Sequence, residues 1–207
     1  MRTATLAAVV LASACGSSPE VAPTPAPASA SGVESSAARP SVVASEQYYD
    51  IDGSSAGALR NQISRLGPKD ESGKSQDALT VWSIEWTYGT AQRGDSCALR
   101  DVKVTLNVAV TLPRWKPPAT ATADVLRKWQ AYLRAVRLHE AGHRTIAERN
   151  AREVMAALTP LVGTNCDKLS DEATRTAERI VADGRARNRA YDIQTKHGQT
   201  QGVELGP

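Results

Sequence analysis

Phenylalanine is missing altogether, and histidine occurs only three times in the 207 residues. Long apolar runs and blocks of like charge are also lacking. Each scarcity narrows the possibilities. Without Phe, core volume must come from the four Trp and five Tyr, most of which fall among Val, Ile and Leu in the middle of the chain. A net charge of +3, with Lys and Arg spread along the chain, gives no support to a nucleic-acid partner. The length suits one domain with a real core and is short for two.

The longest early apolar run, Leu6 to Ala12, follows a single positive charge at Arg2 and is too short to cross a bilayer. It reads as an export signal over residues 1–14. Ala12, Ser13 and Ala14 stand before Cys15, and Gly16, Ser17 and Ser18 follow, which resembles a bacterial lipoprotein cleavage site with Cys15 as the lipidated residue. Cleavage without lipidation, releasing a periplasmic protein, is the alternative. The expected location is thus the bacterial envelope, with membrane contact only through the anchor at Cys15. Residues 15–45 are rich in Ser, Ala and Pro and are expected to form a disordered tether, since such a segment buries too little apolar surface to offset its ordering entropy.

That leaves 46–207 as the folded domain. Cys97 and Cys166 are the remaining cysteines, and an oxidising compartment allows them to pair, with two separate buried thiols as the bland alternative. Order is expected to begin near Gln47 with a short strand through Tyr48 to Asp52. A helix should follow, capped at Ser54 or Ser55 and stopped by Gly67-Pro68, with Leu59, Ile63 and Leu66 on one face. Lys69 to Asp77 reads as a loop. A strand around Val81, Ile84, Trp86 and Tyr88 precedes the strictly alternating Val102, Val104, Leu106, Val108, Val110 and Leu112. Joined by residues 89–97, the two should pair antiparallel, with the Tyr49 strand extending the same small antiparallel sheet. Helical spacing then runs from Thr122 to Leu158, and a second helix is expected over Ser170 to Arg187, with an irregular tail from Tyr191 onward. The fold class is α+β.

Two of the three histidines occupy His139-Glu140-Ala141-Gly142-His143. Imidazoles four residues apart on a helix project from one face and can grip one zinc ion. Glu140 is then placed to act as general base on a zinc-bound water. Gly142 inside a helix costs about 1 kcal/mol relative to Ala and implies close packing against its backbone, for which a sheet edge is the candidate. The bland reading makes both histidines solvent-facing, with Glu140 paired to Arg137 or Arg144. Catalytic zinc takes a third protein ligand. His197, on a segment ending in Gly198, is the first choice, and Asp192 is the second; Glu172 and Glu178 are not singled out by anything local. Asp192 could instead orient a ligand histidine, and Tyr191 could donate to an oxyanion or simply pack.

These residues, with Tyr48-Tyr49-Asp50-Ile51, Trp82, Trp86, Leu112-Pro113-Arg114-Trp115, the two cysteines, Tyr191-Asp192, Thr195 and His197-Gly198, make the chain resemble a bacterial family of predicted secreted zinc-dependent proteases, domain of unknown function 922. The resemblance implies a zincin-like fold, a small sheet beside the motif helix, and a peptidase acting on protein or peptide. An amidase acting on cell-wall peptides would use the same chemistry. A non-catalytic envelope lipoprotein with a structural metal or a binding partner is the competing class.

Overall fold

Strict alternation from Val102 to Leu112 belongs to the central strand of a four-stranded sheet. The computed structural model describes residues 38–206; the export signal expected over residues 1–14, the lipidated Cys15 and the tether up to residue 37 lie outside the described residues. The order is β1 (Ser41–Ile51), α1 (Ala56–Leu66), β2 (Leu79–Arg93), β3 (Ser96–Trp115), α2 (Ala123–Leu158), β4 (Val162–Gly163) and α3 (Cys166–Thr195), followed by a 3-10 turn at Gln199–Gln201. The α+β class is as expected.

Strand order is β1-β3-β2, with β4 paired to the start of β3. The β2–β3 hairpin is antiparallel, as expected, but both strands continue almost to the tip, where Gly94 and Asp95 make the turn and Gly94 takes φ 55°. The expected connection over 89–97 is therefore mostly strand. β1 corrects the sequence reading twice. It begins at Ser41, inside the stretch assigned to the tether, because backbone pairing with β3 orders it even where its side chains are exposed. It also runs parallel to β3, so the sheet is mixed and not antiparallel. The reason is topological. β1 ends opposite Trp115 and β2 begins opposite Thr111, at the same end of the sheet. A chain that leaves and re-enters at one end makes β1 and β2 run opposite ways, and β3, turning back from β2, must then run with β1.

α1 is capped by Ser55, whose hydroxyl accepts from the Ala58 amide. Thr122 caps α2 in the same way through the Val125 amide. α2 spans about 54 Å at 1.5 Å per residue and is long enough to serve two apolar clusters. Val125, Trp129, Tyr132 and Val136 face one, with α1, Trp115 and the tail residues Val203 and Leu205. Ala147, Ala151, Val154 and Leu158 face the other, with β2, β3 and Leu169, Ala173 and Ala177 of α3. His139, Glu140 and His143 occupy the gap between the two clusters. Among the described residues no helix is long and apolar enough to cross a membrane.

α3 is longer than expected at both ends. Asn165 caps its start, and no Gly or Pro interrupts residues 185–195. Helix therefore continues through Tyr191 and Asp192, which the sequence reading had put in an irregular tail. Cys97 and Cys166 form a disulfide, with Cα atoms 5.3 Å apart, and it ties the start of β3 to the first turn of α3. Closing a loop of sequence separation 69 stabilises the fold by about 4 kcal/mol in the chain-entropy model. Denaturant unfolding of a Cys97→Ser, Cys166→Ser double variant should show a loss of that order, and a loss under about 1 kcal/mol would mean that the bridge constrains the unfolded chain far less than its loop length implies.

Candidate metal centre

The step of four between His139 and His143 carries both rings to one side of α2, where both residues are about 95% buried. This excludes the solvent-facing reading. Arg137 pairs with Glu46 and Arg144 with Glu148, leaving Glu140 to turn inward. The Nε2 atoms of the two histidines are 3.2 Å apart. Asp192 Oδ1 lies 3.3 Å from Nε2 of His139 and 3.1 Å from Nε2 of His143. Three potential ligand atoms thus converge on one point, and they form a group able to hold a metal ion.

The ring nitrogens facing away are also engaged. Nδ1 of His139 is 3.0 Å from Gln201 Oε1, and Nδ1 of His143 is 2.9 Å from Asn188 Oδ1. Amide oxygens only accept, so each Nδ1 carries the proton and each Nε2 lone pair points at the common centre. Asp192 therefore supplies a donor atom to the centre and does not orient a histidine from behind; Asn188 and Gln201 have that task.

His197, the first choice for the third ligand, stands outside this group. Its Nδ1 is 3.7 Å from Asp192 Oδ1, and its side chain is half exposed. Asp192 supplies the third converging atom. Glu172 and Glu178 lie exposed on α3.

Glu140 is buried and accepts a hydrogen bond of 2.6 Å from the Thr80 hydroxyl at the start of β2. Burial raises its pKa, against the opposing hydrogen bond from Thr80 and the two imidazoles. Burial also opposes charge on the other groups, but the Asp192 hydrogen bond and charge outweigh it and raise the pKa of His143. For Asp192 itself, burial is outweighed by the two imidazoles, which push its carboxyl well below the usual range.

A cavity of about 360 Å³ opens over the centre, lined on one side by α2 and α3 and on the other by the loop before β2 and its first residues, Leu79 and Thr80. Asp70 braces that loop. Its carboxylate accepts from the Ser72 amide and hydroxyl, the Lys74 amide and the Gln76 side chain, and these bonds, the Ser72 hydroxyl foremost, hold its pKa down to about 2. Asp77 anchors the loop to the helices through two bonds from Arg60 and one from the Tyr132 hydroxyl.

Gly142 is explained by a partner other than the expected sheet edge. A Cβ there would lie 2.2 Å from the Tyr191 hydroxyl. Tyr191 stacks on the His139 ring at 5.1 Å and 12°. Its hydroxyl lies 3.3 Å from the His139 carbonyl, to which it donates, and accepts from the Gln201 amide at 3.0 Å. It packs behind the His139 ring. Thr80, Asn188 and Gln201 were not identified from sequence; Asn188 alone left a trace, four residues before Asp192.

Fold and site define an α+β protein with a two-histidine, one-aspartate group suited to a metal ion. The chain belongs to the family described as bacterial protein of unknown function (DUF922), which matches residues 46–198. No curated protein and no solved structure matches it significantly.

The Gly142 contact makes a sign prediction. In the wild type, Gly142→Ala should destabilise the fold by about 1–3 kcal/mol through overpacking against Tyr191. In a Tyr191→Ala background the same change should stabilise by about 1 kcal/mol, the ordinary helix preference for Ala. Thermal or denaturant unfolding of the four proteins checks this, and equal effects in both backgrounds would show that the two residues are not in contact.

Proposed function

We propose that the protein is a zinc-dependent hydrolase that cleaves peptide bonds, with His139, His143 and Asp192 as metal ligands and Glu140 as general base. The observation that carries this reading is the convergence of three donor atoms at 3.1–3.3 Å. Ligands bound to one tetrahedral ion at 2.0–2.1 Å are separated by about 3.3 Å, so the spacing fits zinc. Imidazole and carboxylate are both zinc ligand types, and three protein ligands leave a fourth position free.

When bound, zinc would act as a Lewis acid toward a carbonyl and make a water at that position acidic near neutral pH. The chain's own residues supply the rest. Glu140 follows the first ligand by one residue and borders the cavity, where a carboxylate can take a proton from the attacking water and deliver it to the leaving amine. Thr80 fixes the orientation of that carboxylate. Among the described residues β2 is an edge strand, and its first residues line the cavity, so an extended peptide could pair with its outer edge beside the centre. The disulfide agrees with an oxidising compartment. Together with the export signal expected over 1–14 and lipid attachment at Cys15, it favours action in the bacterial envelope.

Elemental analysis of the purified chain should give one zinc per molecule. Glu140→Gln should keep the metal and lower hydrolysis of a quenched fluorescent peptide library by about 10²–10⁴-fold. His143→Ala should lose both metal and activity. Absence of a stoichiometric transition metal, or equal turnover by wild type and Glu140→Gln, would reject the assignment.

A further inference from the structure

His197 lies neither among the converging ligands nor away from them. It is among the residues that line the cavity, with Nδ1 3.7 Å from the Asp192 oxygen that faces the two ligand histidines. That distance exceeds the roughly 3.3 Å between neighbouring ligands on a tetrahedral zinc, so the ring stands beside the coordination sphere. It is also too long for a hydrogen bond to Asp192.

The backbone holds the ring there at a conformational cost. Lys196, His197 and Gly198 adopt φ of 50°, 52° and 81°, and the first two are not glycine. A run of left-handed residues is unfavourable for L side chains and persists only where the surroundings dictate it. Here they do. The His197 amide donates to the Asp192 carbonyl at 2.8 Å, the Gly198 amide to the Thr195 hydroxyl at 3.2 Å, and the Val203 amide to the Gly198 carbonyl at 3.0 Å. Gly198 itself leaves no room for a side chain, since a Cβ would lie 3.0 Å from the His139 ring and 2.5 Å from Val203. The turn is thus wedged against a ligand and presents His197 to the cavity. The side chain is 53% exposed, which leaves the ring accessible to a molecule entering the cavity.

We propose that His197 is a catalytic residue that contacts the substrate, its ring N–H donating a hydrogen bond to the carbonyl oxygen as that oxygen gains negative charge. The ring keeps its proton, and no bond to it is made or broken. Its place beside Asp192 puts it at the flank of the centre, in the same cavity that Glu140 borders from α2. Attack and charge stabilisation are then divided between the two helices, Glu140 on α2 and His197 just past the end of α3. This role rests on the hydrolase reading above.

The test is His197→Gly, which suits the left-handed turn, in the zinc-loaded and cobalt-loaded full chain. Metal content and the cobalt visible spectrum should match wild type, and the melting temperature should stay level or rise by about 2–4 °C as strain is relieved. Turnover of the best peptide from the library should fall by about 100-fold, with KM changed less than about threefold. Affinity for acetohydroxamate, a small metal-binding carbonyl compound, should fall about tenfold through loss of the hydrogen bond. Loss of metal or an altered cobalt spectrum would make His197 a ligand and overturn the proposal. Unchanged turnover and acetohydroxamate affinity would overturn it equally. A wild type that binds metal but cleaves no peptide would instead defeat the hydrolase reading, while the acetohydroxamate and spectral measurements still decide whether His197 faces the bound carbonyl.

Discussion

Three electron-pair donors aimed at one point repel one another unless something positive lies between them. Nε2 of His139, Nε2 of His143 and Oδ1 of Asp192 are in that situation. The imidazoles are committed at their back sides to Gln201 and Asn188, so neither ring can turn its Nδ1–H inward without breaking a part-buried hydrogen bond. In the metal-free chain the only positive charge available inside the cluster is a proton. The raised pKa of His143 and the lowered pKa of Asp192 are two views of that fact. A divalent cation meets the same need more completely, at the expense of the proton, which is the linkage expected of metal sites built from histidine.

Such a polar cluster could not sit in the middle of either apolar core without large desolvation cost. It occupies the seam where one core ends and the other begins along α2, so it is buried by helices on two sides and opens to the cavity on the third. This accounts for the length of α2. One shorter helix could bury an apolar stripe, but it could not bridge two clusters and carry a polar segment between them. Opposite α2, α3 must bring Asn188, Tyr191 and Asp192 to the same height, and the disulfide at its first turn helps set that register from the far end.

The helix bearing His139, Glu140 and His143 was legible because its signal is local: the spacing of two histidines and one glutamate determines which face they share. The hairpin was legible because alternation is local too. The direction of β1 was not, since parallel pairing follows from where the chain re-enters the sheet and no single segment records it. The end of α3 was misjudged for a different reason. Leu169, Ala173, Ala177 and Ile180 define a face that continues at steps of three and four through Gly184, Asn188, Tyr191 and Thr195. The stripe does not stop at Arg187; it changes from apolar to polar as it passes from the core to the site. Reading hydrophobicity alone ends the helix there, while reading periodicity extends it to Asp192 and would have favoured that residue as the third donor. Thr80 and Gln201 bear no comparable mark, because each reaches the site through tertiary contact.

Gly142 and Gly198 show how closely α3 and the chain beyond it are fitted to α2. At Gly142 the Tyr191 hydroxyl takes the space of a side chain, and at Gly198 the His139 ring presses on the backbone. His139 is therefore held between Tyr191, Gln201 and Gly198, all contributed by residues beyond 190, while His143 rests on Asn188. Each histidine of the local motif depends on a segment remote in sequence for its tautomer and tilt. The motif thus provides two donors on a helix, but only the docking of α3 and of the chain that follows turns them into a site. Val203 and Leu205 bury that following chain in the first core, so the same apolar contacts that complete the fold also complete the cluster of His139, His143 and Asp192.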